Sequence, residues 1–328
     1  MMTETTRVAA IDCGTNSIRL LVADHDPVTG ALTDVVRRME IVRLGHGVDK
    51  TGVLAPDALA RTLAMTREYA GQCHDLGVGR LRFVATSASR DARNAGDFVT
   101  GVREAFRAEL PALGDIEPEV VSGDEEARLS FRGATGDLVA RGIPGPYLVI
   151  DIGGGSTEVV RGTDTVEAAR SVDIGCVRMT ERHLTADPPT QAQIAAASRD
   201  IDTAIATAAE TVDLTLGRTL VGLAGSVTTV AAHLLHLPRY DAEAIHLSQA
   251  GPAAIRDACL DLLTMSRERR AALGFMHPGR VDVIGAGALV WSRVVARVAA
   301  DTGRGDDLAV YTSEHDILDG IALSVLDD

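Results

Sequence analysis

YLVIDIGGGSTEVVR, Tyr147 to Arg161, is the stretch whose reading decides the fold. It opens on a short apolar run, Tyr147 to Ile150, of the length and type of a buried strand. Asp151 closes the run. Gly153, Gly154 and Gly155 follow, then Ser156 and Thr157, and a second β-rich segment leaves from Glu158. Glycines at a strand end let backbone and ligand approach closely. Successive N–H groups in such a turn form an anion-binding concavity, here with two hydroxyls beside it. The alternative reading is a plain tight hairpin.

The same pattern occurs near the N-terminus, in VAAIDCGTNSIRLLVAD, Val8 to Asp24. An apolar run again ends in an acid, Asp12, followed by Gly14, Thr15, Asn16 and Ser17. Asp12 overlays Asp151, Gly14 overlays Gly153 and Ser17 overlays Ser156, each at the same offset, 151 − 12 = 139. A repeat of so long a period predicts two similar domains rather than a solenoid. Two such hairpins facing across a cleft would grip a polyanion and its metal from both sides.

The 328 residues are enough for two ordinary domains. Hydrophobic residues make up 46% and aromatics only 3%, so the cores should be built from Ala, Val, Leu and Ile. The net charge of −14 argues against a nucleic-acid binder, which usually carries a basic patch. A negative protein that binds an anion must gather cations locally or use a metal. The four cysteines, Cys13, Cys73, Cys176 and Cys259, form no CxxC pair and fit reduced thiols in a cytoplasmic protein. MMTETTR lacks an apolar signal core, and no run approaches the length of a membrane helix. The nine histidines show no ligand spacing.

Further strand is expected over Leu32 to Leu44, then a turn-rich loop, Gly45 to Gly52, and a helix from Pro56 to Asp75. Arg82 to Thr86 reads as strand, Thr86 to Asn94 as a polar loop, and Gly96 to Leu110 as helix. A short strand ends at Val121, and SGDEEARLSFRG starts a helix near Asp124. The second half repeats the plan, with strand at Thr219 to Leu223 running into LAGSVTT, helices across Ser248 to Ala272, a long helix at Val281 to Ala299, and a last strand at Asp307 to Tyr311. The breaker GIPGP, Gly142 to Pro146, precedes the second hairpin.

SGDEEARLSF together with IDIGGGSTEVV resembles the exopolyphosphatase/guanosine pentaphosphate phosphohydrolase family (Ppx/GppA). The paired hairpins and LAGSVTT resemble the phosphate and adenosine motifs of the wider superfamily of actin, sugar kinases and acetate kinase. The resemblance covers nearly the whole chain, Ala9 to Ala322. It implies an α/β fold of two ribonuclease-H-like (actin-like ATPase) domains facing across a central cleft. Residues 1–124 form the first, with a C-terminal helix at about 313–328 packing back on it; residues 125–312 form the second. The length matches the short form, without an extra C-terminal domain. One departure is EHDILDGIA, Glu314 to Ala322: Leu318 and Asp319 stand where many members carry a GLREG-type arginine segment.

Phosphoanhydride hydrolysis needs the phosphate oxygens neutralised, a water oriented and the leaving phosphate stabilised. The phosphate-binding candidates are Gly14, Thr15, Asn16, Ser17, Gly153, Gly154, Gly155, Ser156 and Thr157, with Arg19, Arg90, Arg93 and Arg280. Asp12, Asp151 and Glu158 are candidate ligands for Mg2+, which favours carboxylates and water. For the base, the residues alone leave Asp124, Glu125 and Glu126 open, since acids are ordinary at a helix N-terminus; the resemblance implies Glu126. The activity implied is an exopolyphosphatase acting on inorganic polyphosphate; the net charge of −14 and the few arginines near the hairpins add the expectation of short to medium chains. The alternatives are a guanosine pentaphosphate (pppGpp) phosphohydrolase, or a non-hydrolytic nucleotide-sensing actin-like protein. A homodimer is implied by the resemblance alone.

Overall fold

A computed structural model of the chain describes residues 6–327. The N-terminal MMTET, most of the segment read above as lacking a signal core, lies outside them, as does Asp328. The chain forms two compact units. One runs to Leu129 and takes in the segment from Ile317 onward; the other spans Ser130–Asp316.

The first unit is built on five strands, β1 (Thr6–Cys13), β2 (Ser17–His25), β3 (Leu32–Ile41), β4 (Arg80–Ala85) and β5 (Glu119–Val120), in the order β3-β2-β1-β4-β5. β1, β2 and β3 form an antiparallel meander; β4 and β5 add in parallel. β1 has six buried residues in succession, as a strand covered on both faces should. The period of two then sorts its side chains. Ala9, Ile11 and Cys13 join Ile18, Leu20 and Val22 beneath Tyr69, Phe98 and Phe106 of the helices Pro56–Asp75 and Ala95–Glu109. Phe83 meets Phe98 and Phe106 edge-on, at 6.2 and 6.1 Å. On the opposite face Ala10, Leu21, Ala23 and Val84 pack with Leu129 and the helix Ile317–Ser324. That helix can lie close because Gly320 has no Cβ to strike the Leu129 carbonyl. Here Leu318 is core and Asp319 ion-pairs with Arg37 of β3, so this departure from the family pattern serves packing.

The second unit repeats the plan. β6 (Tyr147–Ile152), β7 (Thr157–Gly162) and β8 (Val166–Val172) form the antiparallel meander, and β9 (Thr219–Leu223) lies parallel on β6. The sheet continues through β10 (Ser248–Ala250) and β11 (Val310–Thr312) to the order β10-β11-β9-β6-β7-β8. Read from its β8 edge, it is the first sheet with one antiparallel strand added. Its core gathers Leu148, Ile150, Leu220, Ile201 and Trp291.

Four local expectations are corrected. Thr86–Asn94, read as a loop, holds the short helix Ser87–Asp91. Ser248–Ala250 is strand rather than helix, because it pairs with Val310–Thr312 before the helix Pro252–Thr264 begins. The last strand is accordingly Val310–Thr312 rather than Asp307–Tyr311, whose first residue ends a short 3-10 turn. The Gly45–Gly52 loop holds one helical turn, Val48–Thr51, between Gly47 and Gly52, both at positive φ. The helix Gly123–Ala140 carries the chain from one unit into the other, and the 124/125 division read from the sequence falls in its first turn. No helix among the described residues is long and apolar enough to cross a membrane.

Candidate active site

In the first unit the β1–β2 turn is closed by Gly14 N–H donating to Ser17 O at 2.9 Å. Its carbonyls are held from behind. Gly45 N–H donates to Thr15 O, and Val42 and Arg43 N–H both donate to Asn16 O. The buried Thr15 hydroxyl lies 2.8 Å from Ser87 Oγ, which fixes the turn against the helix Ser87–Asp91. A trans peptide points its N–H opposite its C=O. Anchoring Thr15 O therefore turns Asn16 N–H the other way.

Asp12 stands directly across the ladder from Arg19. Arg19 Nε and Nη2 donate to Asp12 Oδ2 at 2.9 and 2.7 Å, and the carboxylate is 6% exposed. A phosphate-binding candidate and a metal-ligand candidate are thus each other's partners.

Arg90, on the short helix beside this turn, donates through Nη1 to Val121 O at 3.0 Å and to Glu126 Oε2 at 3.1 Å. Arg90 Nε and Nη2 make no hydrogen bond among the described residues. The three acids at the head of the Gly123–Ala140 helix differ sharply. Glu126 is buried; Asp124 is exposed; Glu125 pairs with Arg82 and Arg128. Arg93 donates to Thr51 O at 3.0 Å and packs over Gly52.

The second unit carries the more elaborate turn. Gly153 N–H donates to Ser156 O at 3.0 Å. Cys176 N–H donates to Gly153 O, Val177 and Arg178 N–H to Gly154 O, and Gly175 N–H to Gly155 O. Arg178 Nε adds a bond to Gly155 O at 2.8 Å. All three glycine carbonyls are thus bound to the start of the helix Cys176–His183. Peptide planarity then directs the N–H groups of Gly154, Gly155 and Ser156 to the opposite side, and none of the three donates to another backbone group in the described residues. Beside them the Ser156 hydroxyl is buried with no hydrogen-bond partner. Buried hydroxyls are normally satisfied, and one left open at a row of aimed amides marks a place for a ligand oxygen. Thr157 is committed elsewhere, its hydroxyl donating to Ile174 O at 2.9 Å.

Asp151 and Glu158 face each other across the β6–β7 ladder. Directly opposed side chains have Cβ atoms about 5 Å apart. Both carboxylates are buried, at 6% and 1% exposure. The Ser130 hydroxyl donates to Asp151 Oδ2 at 2.6 Å and the Ser171 hydroxyl to Glu158 Oε1 at 2.7 Å. Position 158 is the repeat equivalent of position 19. One hairpin thus opposes acid with arginine and the other acid with acid. Adjacent carboxylate oxygens fit a hard divalent cation of the Mg2+ kind; an arginine-bound Asp12 fits it less well.

Arg280 lies over the start of the helix Ala224–Leu234, which follows β9 directly. It packs on Gly225, donates to Thr229 Oγ1 at 3.4 Å, and contributes to the field at Cys176. The Ser226 and Cys176 side chains stand together at Gly287, so LAGSVTT packs beside the helix that holds the glycine turn. Ala224 begins that helix at φ 64, a conformation costly for a residue with a Cβ.

Sequence reasoning did not single out Ser130, Gly175, Arg178 or Ser226. Gly175 has a steric reason to be glycine, because a Cβ there would overlap the backbone of Gly154 and Gly155. The one sequence signal for it is a glycine immediately before a helix.

The family model of the Ppx/GppA phosphatases matches residues 21–324. The chain belongs to the Ppx/GppA phosphatase family. It is 50% identical over 322 residues to Exopolyphosphatase 2 of Mycobacterium tuberculosis, covering 98% of each chain. Among solved Ppx/GppA-type structures, an exopolyphosphatase-like protein superposes with a TM-score of 0.91 at 43% identity, covering 98% of both chains. The Aquifex aeolicus Ppx/GppA enzyme gives a TM-score of 0.76 at 27% identity, covering 98% of this chain and 100% of that one. The two-sheet α/β architecture is thus the family's own.

Proposed function

We propose that this chain is an exopolyphosphatase that hydrolyses terminal phosphate from inorganic polyphosphate, preferring short to medium chains. The observation that carries it is the glycine turn of the second unit. Three amides are aimed by fixed carbonyls, with the unpartnered Ser156 hydroxyl beside them. Such a cradle recognises tetrahedral oxyanions and reads no base or sugar. The 50% identity to a mycobacterial exopolyphosphatase supports the same substrate class.

Glu126 is proposed as the general base that accepts a proton from the attacking water. Its burial and its fixed bond to Arg90 favour it over Glu125, whose carboxylate is paired with surface arginines. Arg90 orients that carboxylate and has further N–H donors for a phosphate oxygen. Asp151 and Glu158, positioned by Ser130 and Ser171, are the proposed holders of Mg2+. When bound, Mg2+ supplies positive charge to the phosphate oxygens. Arg280 is a further proposed phosphate contact; Arg19 acts first on Asp12.

A net charge of −14 disfavours a long polyanion at a distance, which supports the preference for shorter chains. Guanosine pentaphosphate is proposed as a weak substrate at most. Four buried free thiols support a reducing, cytoplasmic setting. A homodimer is proposed on family resemblance and is read by light scattering on the eluted protein.

The test compares initial phosphate release from polyphosphates of defined length, guanosine pentaphosphate and ATP, at matched Mg2+ and low salt. Release from short polyphosphate should be fastest. Faster turnover of very long chains or of the guanosine substrate overturns the ranking, and no release from any polyphosphate overturns the activity.

A further inference from the structure

Asp137, His246 and His315 are far apart in sequence and meet in the second unit. Ser248, Gln249 and Ala250 of β10 pair with Thr312, Tyr311 and Val310 of β11. Continuing that register two places sets His246 opposite Glu314 and next to His315. The observed bond from Glu314 N–H to His246 Nδ1, at 3.3 Å, follows that alignment. His315 is held by a local turn in which Ser313 Oγ donates to His315 O and accepts from His315 N–H. The third residue comes from the last turn of the helix Gly123–Ala140, where Asp137 projects its carboxylate at both rings.

Asp137 Oδ2 lies 2.6 Å from His315 Nδ1 and 3.1 Å from His246 Nε2, and the ring centroids are 4.7 Å apart. The three candidate donor atoms all lie within 4.8 Å of one another, and all three residues are half-buried, so an ion can reach them. A carboxylate in the last turn of an 18-residue helix sits at the negative end of its dipole, which favours a cation, while Arg141 just beyond the helix adds a positive charge near His246. The two imidazoles can each supply a nitrogen lone pair only when that nitrogen is deprotonated.

We propose that Asp137 Oδ2, His246 Nε2 and His315 Nδ1 form a binding site for a divalent transition metal of the zinc class. It is separate from the carboxylate pair Asp151 and Glu158. Nitrogen-rich donors select zinc-class ions over Mg2+, which prefers oxygen ligands. Metal–ligand distances of about 2.1 Å put tetrahedral donor atoms about 3.4 Å apart. Loading therefore spreads the Asp137–His315 contact by several tenths of an ångström and the Asp137–His246 contact by less. The metal takes the nitrogen lone pair facing the carboxylate on each ring, and the one proton of each neutral ring shifts to its other nitrogen. At His246 that proton moves from Nε2 to Nδ1, which gives up the long Glu314 bond. Three protein ligands leave the other positions to water or to an anion.

The test uses the full chain, stripped of metal by a chelator and then kept in excess Mg2+ to occupy oxygen-donor sites. Co2+ is followed by its visible d–d absorption and Zn2+ by calorimetry. The expected result is one equivalent of either ion bound despite the Mg2+. His246→Gln, His315→Gln and Asp137→Asn should each weaken binding at least ~10–100-fold, with Tm and circular dichroism near those of the parent chain. The Asp151→Asn variant should keep this binding. Absence of the Co2+ spectrum at millimolar metal, or unchanged affinity in both histidine variants, overturns the proposal.

Discussion

Arg90 Nη1 lies 3.1 Å from Glu126 Oε2 and bonds the Val121 carbonyl as well, so one guanidinium ties the head of a helix to the carboxylate that helix presents. A buried acid held in this way has a defined orientation before substrate arrives. Arg90→Ala should lower kcat about 10–100-fold, the range for losing a hydrogen bond to a charged group. Arg90→Lys keeps a charge but not the geometry of the fork and should recover only part of the loss. A full rate in Arg90→Ala removes any role for this pair.

Glu126→Gln keeps the shape and removes the base. Turnover should fall ~10²–10⁴-fold with binding of polyphosphate retained. Glu125→Gln, at a partly exposed residue paired with Arg82 and Arg128, should stay within a few-fold of the parent. The comparison is made by steady-state rates and by competition binding. Equal losses in the two variants would count against the assignment.

The proposed metal holders give a separate signature. Ser130→Ala removes the 2.6 Å bond that orients Asp151. It should raise the Mg2+ concentration needed for half-maximal activity while changing the saturated rate less. Asp151→Asn, which removes a charged oxygen from the site, should raise that concentration further and lower the saturated rate as well. Full activity of the parent enzyme in excess EDTA would sink the metal proposal.

Gly175→Ala forces a methyl group into the backbone of Gly154 and Gly155. We expect a stability loss of about 1–3 kcal/mol, as for overpacked sites. Activity should fall further than the change in Tm explains, because the aimed amides move. A variant with unchanged kcat and unchanged Tm would show that the turn tolerates displacement.

All four thiols are buried, and burial pushes the pKa of each one up, that of Cys73 to about 12. A thiol whose folded pKa lies above its unfolded value near 8.5 contributes stability that is fully present below about pH 8.5. That contribution is lost as pH rises through the folded values. Tm should therefore hold between pH 7 and 8 and fall steadily above pH 9. Native protein at pH 8 should react with a disulfide reagent only as fast as it unfolds; immediate modification of even one thiol contradicts this.

Much of the architecture was legible because it is written in local pattern. Apolar runs ending in Asp12 and Asp151, glycine turns after them, and a constant offset between the two copies are properties of adjacent residues. The acids at Asp124 to Glu126 were legible as a group but not individually, since helix phase against the rest of the fold decides which is buried. What stayed hidden depends on partners distant in the chain. Arg19 reads as a phosphate ligand until strand pairing sets it against Asp12. Ser248–Ala250 reads as helix until its pairing with β11 is known. His246 and His315 have no ligand spacing; a three-residue strand pair brings them together at Asp137.

The bonds that fix the three glycine carbonyls to the start of the Cys176–His183 helix have a kinetic consequence. A glycine-rich loop normally loses much conformational entropy when it closes on a ligand. This one is ordered before any ligand arrives. Association with inorganic phosphate or short polyphosphate should therefore be a single fast phase whose observed rate rises linearly with concentration, without the plateau that a loop-closing step imposes.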